Sequence, residues 1–167
     1  ENTEQISIMQ SQGVRLYGTL PRIVTDDQAR KVMALMDRCA EAGMKGVLTG
    51  NLGLLSYAAA RGFDIRGDYG FNIFNAQALK EIKRMGVSSA TLSFELTLAQ
   101  IRDISKNLDT EIFAYGRLPV MITENCIIKN RYGACGYCNN PQSVTDRSGE
   151  VFPVVKAFAC RSQIYNA

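Results

Sequence analysis

Runs of alternating or continuous apolar residues give way, again and again, to apolar residues spaced three or four apart. Val14–Leu20 (VRLYGTL) reads as a strand ended by Pro21. Thr25 or Asp26 caps a helix that runs through Ala42. Its Val32, Leu35, Met36, Cys39 and Ala40 share one face, and Gly43 closes it. Gly46–Thr49 (GVLT) is a short strand. Asn51 caps a second helix through Arg61, ended by Gly62. Ile65–Ile73 is strand-like but interrupted by Gly67 and Gly70. Asn75 caps a third helix, Ala76–Met85, closed by Gly86. Ser89–Phe94 is a strand, Thr97 caps a fourth helix over Leu98–Asn107, and Thr110–Tyr115 is the fifth strand.

Strand followed by helix, four times over and then a strand, predicts a parallel sheet covered by helices. The fold class expected is therefore α/β. Short strands with polar or charged residues at their ends favour part of a β/α (TIM) barrel over a doubly wound open sheet. Four to five units are too few for eight strands, and the chain begins Glu-Asn-Thr. Both point to a fragment of a longer protein. After Tyr115 the alternation stops. Residues 116–143 are rich in glycine, asparagine and cysteine, and Ser143–Val155 reads as a hairpin turning at Arg147–Ser148–Gly149. The expected organisation is β/α units over 1–116 and a cysteine-rich module with a hairpin over 117–167, packed on the same domain.

Composition narrows the chemistry. With 46% hydrophobic residues in 167, the chain can build a core. The net charge of +3 comes from scattered lysines and arginines, the densest stretch being Lys129–Arg131, so charge does not argue for nucleic acid. There is no histidine, which removes Ser–His and Cys–His catalysis and Cys/His zinc sites from this chain. No apolar run approaches a membrane span. Five cysteines, an odd number, with no leader pattern point to a reducing, cytoplasmic setting.

Four of the cysteines crowd together: Cys126, Cys135, Cys138 and Cys160, spaced Cys-x8-Cys-x2-Cys-x21-Cys. A tight pair with one sulfur from each flank can hold a metal or an iron–sulfur centre. Gly133 and Gly136 let the backbone turn around the pair. The competing reading is buried small side chains or free thiols. Zinc sites usually carry two tight pairs, so the uneven spacing sits better with a cluster, with zinc as the alternative. Cys39 lies on an apolar helix face and reads as core. Carboxylates at strand ends are the other candidates. Glu95 follows a strand, where barrels build their active sites, or it serves a helix terminus. Asp68 ends the third strand pattern, and Glu124 precedes Cys126. Glu111, at the start of the fifth strand, reads as half of a structural ion pair. Arg117 follows the fifth strand and can meet an anion, pair with Glu95 or be a simple surface arginine. Tyr69, Asn72 and Asn75 cluster at a strand end, where they can line a pocket, but loop capping is the favoured reading.

The segment Glu111-Ile-Phe113-Ala-Tyr-Gly116 resembles the signature of the collagenase-like peptidase family U32. Glu111, Phe113, Gly116 and Leu118 match it, and Cys126 falls at its second cysteine. Arg117 replaces a small residue, Pro119 occupies the first cysteine position and Glu124 replaces a glycine. The strings YGRLPVMITENC, GACGYC, DRSGEVFPV and CRSQIYNA are similar to a branch of the family, as is the Ser93-Phe-Glu95-Leu segment. The resemblance implies the C-terminal half of a β/α barrel. It implies either a collagen-degrading protease or a hydroxylase of RNA or of a quinone precursor that holds a 4Fe–4S cluster on four cysteines. With Pro119 at one cysteine position, Cys138 is the replacement, giving Cys126, Cys135, Cys138 and Cys160 as the ligand set. The expected partner is a peptide or an RNA, with Glu95 and Arg117 as catalytic candidates. A third expectation is a non-catalytic module that a metal staples together.

Overall fold

The computed structural model describes residues 3–104 and 107–167. Its contacts divide the chain into two compact units, Glu1–Phe113 and Ala114–Ala167.

In the first unit a helix, α1 (Thr3–Ser11), precedes strand β1 (Tyr17–Thr19). Then follow α2 (Asp26–Glu41), β2 (Gly46–Thr49), α3 (Leu55–Ala60), β3 (Asp64–Gly67), α4 (Ala76–Arg84), β4 (Val87–Thr91), α5 (Leu98–Asp103) and β5 (Asp109–Glu111). The strands are all parallel and lie in the order β1-β2-β3-β4-β5. A sequential order is what repeated right-handed strand–helix–strand crossovers produce. The sheet is open, and no closed barrel forms among the described residues. The part of the fourth expected helix that reaches Ser105 and Lys106 lies outside the described residues.

The local signals explain the elements. Thr25 caps α2 in a capping box with Gln28, and Asn75 caps α4 through a 2.9 Å bond accepted from the Ala78 N–H. Apolar spacing buries Val32 and Met36 of α2 and Leu79 and Ile82 of α4 against Val47, Ile65 and Val87 of the strands. Each such side chain contributes about 1.5–3 kcal/mol by leaving water. Cys39 packs against the edge of this core, as its helix position suggests.

Asp64, Arg66, Ser89 and Glu111 are polar strand residues with side-chain bonds to other strands. Arg66 pairs with Glu111 at 3.4 Å, and the Ser89 hydroxyl donates to the same carboxylate at 2.9 Å. Glu111 is thus in the ion pair expected of it, though it ends β5 rather than starting it. The Tyr17 hydroxyl donates to Asp64 at 2.6 Å, and Arg66 lies 4.4 Å over the Tyr17 ring. The hydroxyls of Ser88 and then Tyr17 hold the Asp64 carboxyl below the usual aspartate range.

The second unit is an antiparallel sheet of β6 (Pro119–Thr123), β7 (Gln142–Thr145), β8 (Val151–Lys156) and β9 (Ser162–Tyr165), in the order β6-β9-β8-β7. Helix α6 (Ile127–Tyr132) supplies Ile128 to a small core with Val154 and Ile164. The hairpin is present as expected, closed by the turn after Asp146. Residues 116–143 are more ordered than a loop, since β6 and α6 lie within them. Among the described residues no helix is long and apolar enough to cross a membrane.

Candidate functional site

All five strands of the first unit end at the same edge of a parallel sheet, and that edge is where α/β folds bind their ligands. A chemically loaded residue follows each strand: Arg22 after β1, Asn51 after β2, Asp68 and Tyr69 after β3, Phe94 and Glu95 after β4, Phe113 after β5.

Asp68 is the most constrained of them. It is 7% exposed. Its N–H donates to the Thr49 carbonyl at 2.9 Å, which ties it to the end of β2. Its side chain turns back to accept the Gly70 N–H at 2.5 Å. Two glycines make the space. A Cβ at Gly50 would lie 2.2 Å from the Asp68 Oδ1, and one at Gly70 would lie 2.7 Å from it and 3.0 Å from the Arg22 Nε. Carboxylate and guanidinium therefore share one small space. Burial pushes the Asp68 carboxyl above its ordinary value, and the Gly70 N–H and Arg22 charge pull against that shift.

Arg22 is held by Tyr69. The guanidinium lies 4.6 Å over that ring and donates to the tyrosine hydroxyl at 3.2 Å. Tyr69 meets Phe94 at 5.7 Å and Phe113 at 5.5 Å, and the two phenylalanines meet edge to face at 6.3 Å. Phe94 and Phe113 remain 39% and 40% exposed, so this ring wall leaves apolar surface open to solvent.

The expected catalytic pair looks different. Glu95 is exposed at the strand-end edge, and among the described residues its carboxylate has no hydrogen-bond or ion-pair partner. Arg117 is exposed and belongs to the second unit. Asn72 adopts the left-handed conformation after the Tyr69–Phe71 turn, and Asn75 caps α4; both are loop devices, as read. Sequence reasoning placed Tyr69 at a strand end but missed Arg22, Phe94 and Phe113 as its partners. The available signal was an aromatic residue two or three positions beyond each of three successive strands.

All four clustered cysteines lie in the second unit as free thiols. Cys126 caps α6, its sulfur accepting the Lys129 N–H at 3.3 Å. With Cys138 it packs against the Ile128 core. Cys135 is exposed between Gly133 and Gly136, both in the left-handed region. Cys160 is exposed, and it and Ala159 are consecutive non-glycine residues at positive φ, 61° and 58°. The donor set is of the right kind for a thiolate-bound metal or cluster. Among the described residues no three cysteine, aspartate or glutamate side chains gather closely enough to hold a metal. The strained backbone makes a separate forecast. Ala159→Gly is expected to stabilise the second unit by about 0.5–1 kcal/mol in urea unfolding, because glycine adopts this conformation freely; a loss of stability would show that the methyl group packs.

Comparison with known proteins places these observations. The chain is 26% identical over 152 residues to an uncharacterized protease of Methanocaldococcus jannaschii, covering 84% of this chain and 37% of that protein. It is 24% identical over 162 residues to a collagenase of Porphyromonas gingivalis, covering 84% of this chain and 39% of that one. It is 24% identical over 149 residues to a 23S rRNA 5-hydroxycytidine synthase of Escherichia coli, covering 83% and 23%. The chain thus spans two fifths or less of the length of these relatives. A solved U32 peptidase shares the fold with a TM-score of 0.55 at 12% identity, over 67% of this chain and 49% of that one. The sequence pattern of peptidase family U32 matches residues 1–144, and the chain belongs to that family.

Proposed function

We propose that the first unit carries the strand-end site of a U32-type hydrolase that cleaves a peptide bond with a water activated by Asp68. One observation carries this reading: a buried carboxylate with a raised pKa shares a glycine-lined space with a single cation, at the ligand-binding edge of a parallel sheet. In the reaction, the free Asp68 oxygen takes a proton from water as the water oxygen bonds to the amide carbon. The oxyanion that forms is stabilised by Arg22. The C–N bond then breaks as Asp68 passes its proton to the departing nitrogen, and the carboxylate is restored. The ring wall of Tyr69, Phe94 and Phe113 holds an apolar side chain of the substrate. In this reading the open sheet is an arc of a larger barrel. The relatives named as a protease and a collagenase support a polypeptide substrate. The test is cleavage of internally quenched gelatin peptides by the full-length protein, purified free of other proteases. Turnover is expected, and its absence from folded protein overturns the reading.

A second reading has its own support. Half-exposed rings also stack flat heterocycles, and one relative is named as an rRNA 5-hydroxycytidine synthase. In this reading the enzyme hydroxylates an RNA base or an aromatic precursor, and Cys126, Cys135, Cys138 and Cys160 are the thiolates that would hold a 4Fe–4S cluster. Five free cysteines suit the reducing, cytoplasmic setting this needs. Anaerobic purification is then expected to yield a brown protein with about four irons per chain. A colourless protein with one tightly held zinc contradicts the cluster and supports a zinc staple.

A further inference from the structure

The second unit contains a cavity that none of this chemistry uses. It has a volume of about 180 Å³ and lies between α6 and the strands β7 and β8. Ile127, Ile128, Val144 and Val154 make its apolar walls. Arg131, Gln142 and Ser143 complete it. Pockets for drug-sized ligands run to about 300–1,000 Å³, so this one takes a single aliphatic side chain.

Two further features say what carries that side chain. The first is the strand beside it. Among the described residues β7 is the outermost strand of its sheet, paired with β8 alone. Gln142, Ser143 and Val144 line the cavity in succession, so the cavity runs along that strand. An outer strand offers backbone groups to which an extended peptide can add. The second feature is Arg131, the one charged residue of the lining. Its guanidinium lies 5.4 Å over the Tyr132 ring, and Tyr132 stacks on Tyr137 at 4.4 Å. Arg131 also reaches the Ser143 carbonyl at 3.5 Å, which sets it over the edge strand. Arginine forks match carboxylates in a two-point geometry.

We propose that this cavity binds the free carboxyl terminus of a polypeptide whose last residue is aliphatic. The last side chain enters between α6 and β7–β8, the α-carboxylate pairs with Arg131, and the preceding backbone extends along β7. An internal peptide segment brings no carboxylate to Arg131. The inference rests on the second unit alone and is independent of hydrolysis at Asp68.

The test is fluorescence anisotropy of the full-length protein with a fluorescein-labelled hexapeptide ending in Val-Ile, as the free acid and as the C-terminal amide. The acid is expected to bind at least about tenfold more tightly. Arg131 is exposed, so Arg131→Gln keeps the fold, which circular dichroism checks, and it is expected to reduce the acid to the level of the amide. Val144→Phe, which fills the cavity, is expected to weaken both. Equal binding of acid and amide, or unchanged binding of the acid by Arg131→Gln, overturns the proposal. So does equally tight binding of a free-acid peptide ending in glycine.

Discussion

Asp68→Asn is expected to lower kcat for peptide hydrolysis by about 10²–10⁴-fold, with KM changed by less than about threefold. The substitution keeps the shape of the side chain, and the amide oxygen can still accept the Gly70 N–H that now holds Oδ1. It removes the one function the mechanism needs, acceptance of a proton. A neutral side chain also escapes the cost of burying a charge, so the variant is expected to be at least as stable as the parent near neutral pH. The sign follows from the raised pKa. Folded Asp68 binds its proton more readily than the unfolded chain does. Its contribution to stability therefore falls as pH rises from the ordinary value of 3.8 through the raised folded value. Asp68→Asn abolishes that dependence. Hydrolysis unchanged in Asp68→Asn would remove Asp68 from the chemistry.

Arg161→Ala is expected to destabilise the second unit by about 3–5 kcal/mol in urea unfolding. Arg161 is 2% exposed and is the largest fully buried side chain among the described residues. Its Nε donates to the Glu124 carboxylate at 2.5 Å, and Glu124 itself is 72% exposed. Truncation leaves a cavity the size of an arginine stem beneath a sheet whose core is only Ile128, Val154 and Ile164 with their partly buried neighbours. A domain this small has little stability to lose. The asymmetry of the pair gives a control. Glu124→Gln keeps an oxygen that can accept from Arg161 and is expected to cost about 1–2 kcal/mol. A loss from Arg161→Ala no larger than that would show that the guanidinium is not a packing element.

The elements that could be read from the chain are those with one dominant local signal. Gly46–Thr49 is legible to the residue because an apolar run sits between a glycine and a glycine–asparagine turn. The helices begin where Thr25, Asn75 and Thr97 can cap them. The Ile65–Ile73 pattern misled, since β3 stops at Gly67. Beyond it, Asp68 bonds the backbone two residues on and closes a tight turn, and that local bond outcompetes the sheet ladder. β6 and α6 were hidden for a different reason. Five and six residues are too short for either period to show, and the helix starts on a cysteine, an unusual cap.

The site was half legible. Glu95 and Asp68 could be placed at strand ends, because alternation alone puts them there. The approach of Arg22 to Asp68 could not, because residues 46 positions apart come near each other only through the register of β1, β2 and β3. Nor could the burial of Arg161, since sequence gives an arginine no reason to be inside. The cysteines show the opposite case. Their spacing is a strong sequence signal, while the places the fold gives them, Cys126 and Cys138 against the Ile128 core and Cys135 and Cys160 exposed, do not show in it.

The central claim is that a carboxylate with a raised pKa at the sheet's strand-end edge moves the proton. The pH profile of kcat/KM for the full-length protein on a quenched gelatin peptide tests it most directly. The account predicts an acidic limb on which the rate rises with pH, with its midpoint above the ordinary aspartate value of 3.8. A profile that is flat across that region, or a midpoint at or below 3.8, would contradict it.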